Sequence, residues 1–270
     1  MEKDTKLILP YLPKNLEALH KNEEKIRTYS ILQINANSNL KEHIEIVHDS
    51  LNLIHDFIIS YKNQNDDELI IQYLGTRLFN SITSSIKLLL TGYYQGSVVF
   101  QRDILEVGYL LDFFSIDKSK ISDWKQSDKQ QLYNKYGPAK IRKKLDNRDG
   151  LLKGSRNQMY QIMCAYAVHV TYPGSKLVAP KKLLKTGPFF DLNYLTFIIQ
   201  ELAMNVPLFT LIYVRHFKNI PTDFQEIKSN YLNKVKIWAK KYLKLDLIKI
   251  DNALIKEWVK TTTAKTRKIK

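Results

Sequence analysis

Arg102 and Glu106 stand four residues apart in a stretch that otherwise repeats apolar residues at helical spacing, with Val98, Tyr109 and Phe113 on the same stripe. That spacing stacks the two charged side chains on one helix face. A charge buried alone in such a stripe is costly, so the pair has to neutralise itself and find further hydrogen-bond partners. Two readings fit. One is an active-site or ligand-anchoring pair; the other is a structural ion pair that fixes helix register, since both perturb charge environments alike.

His169 is the next residue with chemistry to offer. It ends the run Ala165-Tyr166-Ala167-Val168-His169, just before the break Thr171-Tyr172-Pro173-Gly174, where a pocket rim could meet solvent. If the chain is a catalyst, Arg102 and Glu106 face His169 across two packed helices. His169 then serves as general acid or base and Arg102 stabilises a phosphate. The bland alternative for His169 is a hydrogen-bonded core residue.

Metal and cofactor chemistry find no support. His43, His48 and His55 are clustered in sequence, but the last two lie about 10 Å apart along a helix, too far to share one ion at bonds of about 2 Å. Glu45 and His48 form one Glu-x-x-His pair with no counterpart elsewhere. No glycine-rich nucleotide loop and no G-x-S-x-G elbow occurs. The one cysteine, Cys164, sits in the apolar run Ile162 to Ala167 and reads as an inert buried thiol.

The elements that must position these residues are helices. Glycine (9) and proline (8) are scarce for 270 residues, which disfavours a turn-rich β fold. Ile44, Val47, Leu51, Ile54 and Ile58 repeat at three and four, as do Ile70, Leu74, Leu78, Ile82 and Ile86. Asn37 reads as part of a helix cap, and Gly137-Pro138 as a turn into a helix. Further helices are expected over 93–114, 156–171, 191–217, 224–243 and 250–259. Leu195 to Val214 is long enough to span a membrane, but Gln200, Glu201, Asn205 and Pro207 near its middle make it a core helix. The expected architecture is all-α: one multi-helix bundle over 1–260 with long core helices, ending in a frayed basic tail over 261–270.

Charge divides the chain. Residues 1–135 carry 16 Lys+Arg and 18 Asp+Glu, net −2, whereas residues 136–270 carry 26 and 9, net +17. The basic half therefore has reason to meet RNA or another polyanion, and its candidate contacts are Lys140, Arg142, Lys143, Lys144, Arg148, Arg156, Lys181 and Lys182. Lysine-rich solvation of helix faces is the competing explanation. The N-terminal residues mix acids with lysines and lack the apolar run of a signal peptide; with the single cysteine, this gives the expectation of a cytoplasmic protein without an integral membrane span.

The segments Leu89-Leu90-Thr91-Gly92-Tyr93-Tyr94, Arg102-Asp103-Ile104-Leu105-Glu106 and Tyr109 to Phe113, followed by the tyrosine-rich run to His169, resemble over about residues 70–215 a bacterial helical family related to the HEPN-like proteins. That resemblance implies a helical module of toxin–antitoxin or antiphage type, often an RNase. The RNases of that group carry an Arg, a polar residue and a His a few residues on. Here twelve residues separate Arg156 from His169. Those thirteen steps of helix span about 20 Å, so one protomer cannot bring both to one phosphate. The resulting expectation is a HEPN-like protein that binds RNA, and cleaves it if Arg102, Glu106 and His169 meet, in phage defence or stress. The alternative is a non-enzymatic helical adaptor working through a homodimer or a protein partner.

Overall fold

The computed structural model describes residues 12–151, 154–179, 183–247 and 252–267, with side chains to Thr263. Short polar residues start several of its helices. Asn37 opens α2 (Ser38–Ile59) by accepting hydrogen bonds from the backbone N–H groups of Asn39 and Leu40. Asn65 does the same for α3 (Asp66–Leu90), whose first turn carries Asp66, Asp67 and Glu68 against the positive end of the helix dipole. Before them runs α1 (Lys14–Asn35). After α3, the turn Thr91–Tyr93 reverses the chain into α4 (Tyr94–Ile116). Two short helices, α5 (Ser119–Gln126) and α6 (Lys129–Tyr136), lead to α7 (Pro138–Asp149), which has proline at its first position.

The second half continues with α8 (Ser155–Met163), α9 (Leu192–Val214), α10 (Thr222–Leu243) and α11 (Asn252–Arg267). No strand occurs among the described residues, and the all-α class is established. The central element is α9, whose most apolar window is 83% buried. It packs against α2, α3 and α4, so protein rather than lipid surrounds it. Two glycines permit its close approach to α4 and α3. A Cβ at Gly108 of α4 would lie 2.2 Å from the Phe209 ring of α9, and one at Gly75 of α3 would lie 2.5 Å from the Tyr213 ring.

Between α3 and α4 the register is antiparallel, pinned by Arg77 and Ser81 on Asp103 and by Ser85 on Ser97. Two expectations are corrected. The helix begun at Ser155 does not run to Thr171; it widens into a π turn over Cys164–Val168, closed by the His169 N–H on the Cys164 carbonyl at 2.9 Å, and then leaves helical backbone. Residues 261–267 are not a frayed tail either. Helix α11 continues to Arg267, with Thr262 and Thr263 buried. Their hydroxyls donate to the carbonyls of Trp258 and Val259, which lets a polar residue continue an apolar stripe.

Candidate functional site

Arg102 and Glu106 do form an ion pair, Nη2 to Oε1 at 2.5 Å, on the half-buried side of α4. The residue that closes it is Tyr160 of α8. Its hydroxyl accepts from Arg102 Nε and Nη2 at 3.0 and 2.7 Å and donates to Glu106 Oε1 at 2.7 Å. Burial opposes the Arg102 charge, but the Tyr160 hydrogen bond and the Glu106 charge outweigh it and raise its pKa. Burial and the bond to Glu106 likewise raise the Tyr160 phenol above its ordinary value. A phenol that holds its proton this firmly is a positioning group rather than a base near neutral pH.

His169 does not join them. It lies past the π turn, exposed, and makes no side-chain hydrogen bond to Arg102 or Glu106. The expected constellation of Arg102, Glu106 and His169 is thus replaced by Arg102, Glu106 and Tyr160, because the backbone turns outward after Val168. Neither do the clustered histidines converge. His43 is buried and its Nδ1 accepts from Trp238 Nε1 at 3.1 Å, as a core residue.

Three of the residues assigned to a polyanion-facing surface point inward instead. Arg156 is 1% exposed. Its Nη1 donates to Asp146 at 2.9 Å and its Nη2 donates to Asp149. Arg148 is bidentate on Asp112 of α4 at 2.7 and 3.0 Å and also holds Asp149. Two arginines and three aspartates therefore share one buried network between α4, α7 and α8. Burial alone would raise the Asp149 carboxyl, but the Arg148 hydrogen bond and the Arg156 charge hold it below the usual carboxylate range. Arg142 is buried as well, stacked 3.7 Å from the centroid of the Tyr160 ring, with Nη2 on Asn157 Oδ1 at 3.1 Å.

What α7 leaves outside is different in kind. Lys140, Lys143, Lys144 and Asn147 are exposed at spacings of three, one and three, one stripe of the helix, while its acids Asp146 and Asp149 face inward. Beside the stripe, Lys140 Nζ lies 5.9 Å from the ring centroid of Tyr133, an exposed aromatic of α6. Lys181 and Lys182 fall outside the described residues. Sequence reasoning placed neither Tyr160 beside the Arg102–Glu106 pair nor Tyr133 beside the lysine stripe.

The fold and site define an all-helical bundle with an outward lysine stripe laid over buried arginine–carboxylate networks. No protein-family model, curated protein or solved structure matches this chain.

Proposed function

We propose that this chain is a HEPN-like helical protein that binds single-stranded RNA along the outer face of α7. One observation carries the reading. That face presents Lys140, Lys143 and Lys144 with no acid among them, next to the exposed ring of Tyr133. Lysines along a helix track phosphates and release counterions, and an exposed aromatic stacks unpaired bases of any sequence. The setting of phage defence or stress follows from the family resemblance alone. RNA cleavage would need an acid–base group at the Arg102–Glu106 pair, and His169 stands apart from it; binding is the activity proposed.

Fluorescence anisotropy of a labelled single-stranded RNA at several salt concentrations tests this. Affinity should fall steeply with salt, and replacing Lys140, Lys143 and Lys144 by alanine should reduce the log–log slope by about 2, from three phosphate contacts at roughly 0.7 each. An unchanged slope in the triple variant would remove α7 as the interface.

A second reading, a non-enzymatic adaptor, is favoured by the apolar side chains Val170, Tyr172, Leu183 and Leu184, all exposed in the segment between α8 and α9. Light scattering with Leu184→Ser distinguishes it: an adaptor that pairs with itself there dissociates, while the RNA reading leaves the mass unchanged.

A further inference from the structure

No acid stands between Asp149 and Asp191, and the stretch that joins the π turn to α9 is rich in lysine. Hydrogen bonds tie its described parts down. Thr171 Oγ1 donates to the Ala165 carbonyl, and the Gly174 N–H donates to Thr171 Oγ1 at 3.2 Å. A 3₁₀ turn follows over Pro173–Leu177, where the Lys176 carbonyl accepts from the Tyr194 hydroxyl at 2.6 Å. The Lys185 N–H then donates to the Val178 carbonyl at 2.9 Å, which brings the two ends of a loop together. Leu177 packs on the core as the foot of this arrangement. Val170, Tyr172, Leu183 and Leu184 stay outside, with Tyr172 87% and Leu184 84% exposed, and Lys176 and Lys185 are exposed among them.

Apolar side chains exposed together on a surface call for something that covers them. The cover has to accept two features at once, aliphatic tips and lysines without opposing acids. RNA gains from the lysines and the Tyr172 ring, but it offers nothing to Leu183 and Leu184. A second copy of this chain would set the same patch against itself, lysine facing lysine. An anionic bilayer accepts both, because apolar tips enter the boundary between headgroups and acyl chains while lysines meet the headgroup charge. We propose that Tyr172, Leu183 and Leu184 enter the interface of an anionic lipid bilayer, with Lys176 and Lys185 on its headgroups, so that the protein docks peripherally. Docking of this kind is separate from RNA binding along α7, and it leaves α9 in the core.

Sedimentation of the full chain with vesicles tests this, comparing phosphatidylcholine alone with phosphatidylcholine containing about a third phosphatidylserine. The protein should pellet with the anionic vesicles and stay in solution with the neutral ones. Lys176→Ser and Lys185→Ser should each weaken binding about fivefold. Leu183→Ser combined with Leu184→Ser should weaken it at least about tenfold, through the lost apolar burial. Leu184→Trp keeps an apolar tip, so it should bind like the wild type and be quenched more strongly than the wild type by brominated acyl chains. Equal pelleting with both vesicle types, full binding by the double leucine variant, or no binding at all overturns the proposal. So does a dimer in solution that splits in the double leucine variant, because a second copy then covers the patch. A double leucine variant that loses RNA affinity, in a protein that does not bind vesicles, assigns the patch to RNA instead.

Discussion

The Arg142 guanidinium lies 3.7 Å from the ring centroid of Tyr160, whose hydroxyl is shared by Arg102 and Glu106. One tyrosine thus joins a cation of α7 to the ion pair of α4. The ring supplies the quadrupole that a desolvated guanidinium favours, and the hydroxyl orients the pair below it.

Tyr160→Phe separates these two roles. It keeps the stacking surface and removes the hydroxyl, so Arg102 loses an acceptor and Glu106 a donor. The expected loss is about 1–2 kcal/mol, because the pair is partly solvated and water recovers some of the bond. Tyr160→Leu should cost about 0.5–2 kcal/mol more through the lost stacking. Urea unfolding measures both; equal midpoints for the two variants would mean that Arg142 gains nothing from the ring.

Arg156→Met should be far more damaging than any exposed lysine change. It would leave Asp112, Asp146 and Asp149 with Arg148 as the remaining arginine of their network. Removing one partner of a buried ion pair costs about 3–5 kcal/mol. At a temperature where the variant is still folded, its RNA affinity and salt slope should match the wild type, since Arg156 does not reach the surface. A reduced salt slope in the folded variant would place Arg156 at the interface after all.

The parts of this arrangement that were legible in the sequence are local ones. The Arg102–Glu106 contact follows from i, i+4 spacing, and Asn37 and Pro138 mark helix starts through their own backbone chemistry. Tyr160 was not legible as the closing residue, because it lies 54 positions beyond Glu106 and only the docking of α8 on α4 brings it there. The inward turn of Arg142, Arg148 and Arg156 was hidden by counting charge in halves. A signal did exist in α7: Ile141, Arg142, Leu145 and Asp149 share one helical face, and the three lysines share the other. Likewise Leu254, Ile255, Trp258, Val259, Thr262 and Thr263 continue one stripe, which counting threonine as polar conceals. The acid that completes the network, Asp112, sits on α4, and no local pattern announces it.

Gly108→Ala tests the α4–α9 contact. The added methyl would meet the buried Phe209 ring at a distance no real pair of atoms adopts, so a ring or a helix must shift. Alanine itself favours helix by about 1 kcal/mol over glycine, and overpacking of a dense core costs about 1–3 kcal/mol or more. Destabilisation should win because the obstacle is a fully buried ring with little room to rotate. The paired change Gly108→Ala with Phe209→Leu should recover part of the loss. If Gly108→Ala alone raises the melting temperature, the helices are less tightly apposed than described.

His216 gives the clearest pH dependence. It is 2% exposed, and its Nε2 lies 2.9 Å from the Leu111 carbonyl, an acceptor that fixes the proton on that nitrogen. Burial drives its pKa down from the ordinary 6.5 to about 4; the Leu111 bond acts in the opposite direction, and Lys118 and Arg215 add to the lowering. The folded state therefore keeps this ring neutral at pH values where the unfolded chain protonates it. Its contribution is complete above pH 6.5 and is lost as pH falls from there towards 4, because the unfolded state then binds the extra proton. At about pH 4.5 the loss should amount to roughly 2 kcal/mol. His216→Gln offers a side-chain N–H for the same carbonyl but no titration. Carboxylates that titrate in this range act in both proteins alike, so the difference between their stability curves isolates the histidine. That difference should be flat from pH 8 to about 6.5 and narrow by about 2 kcal/mol on going to about pH 4.5. Curves that stay parallel to pH 4 would mean that His216 is accessible to protons in the folded protein.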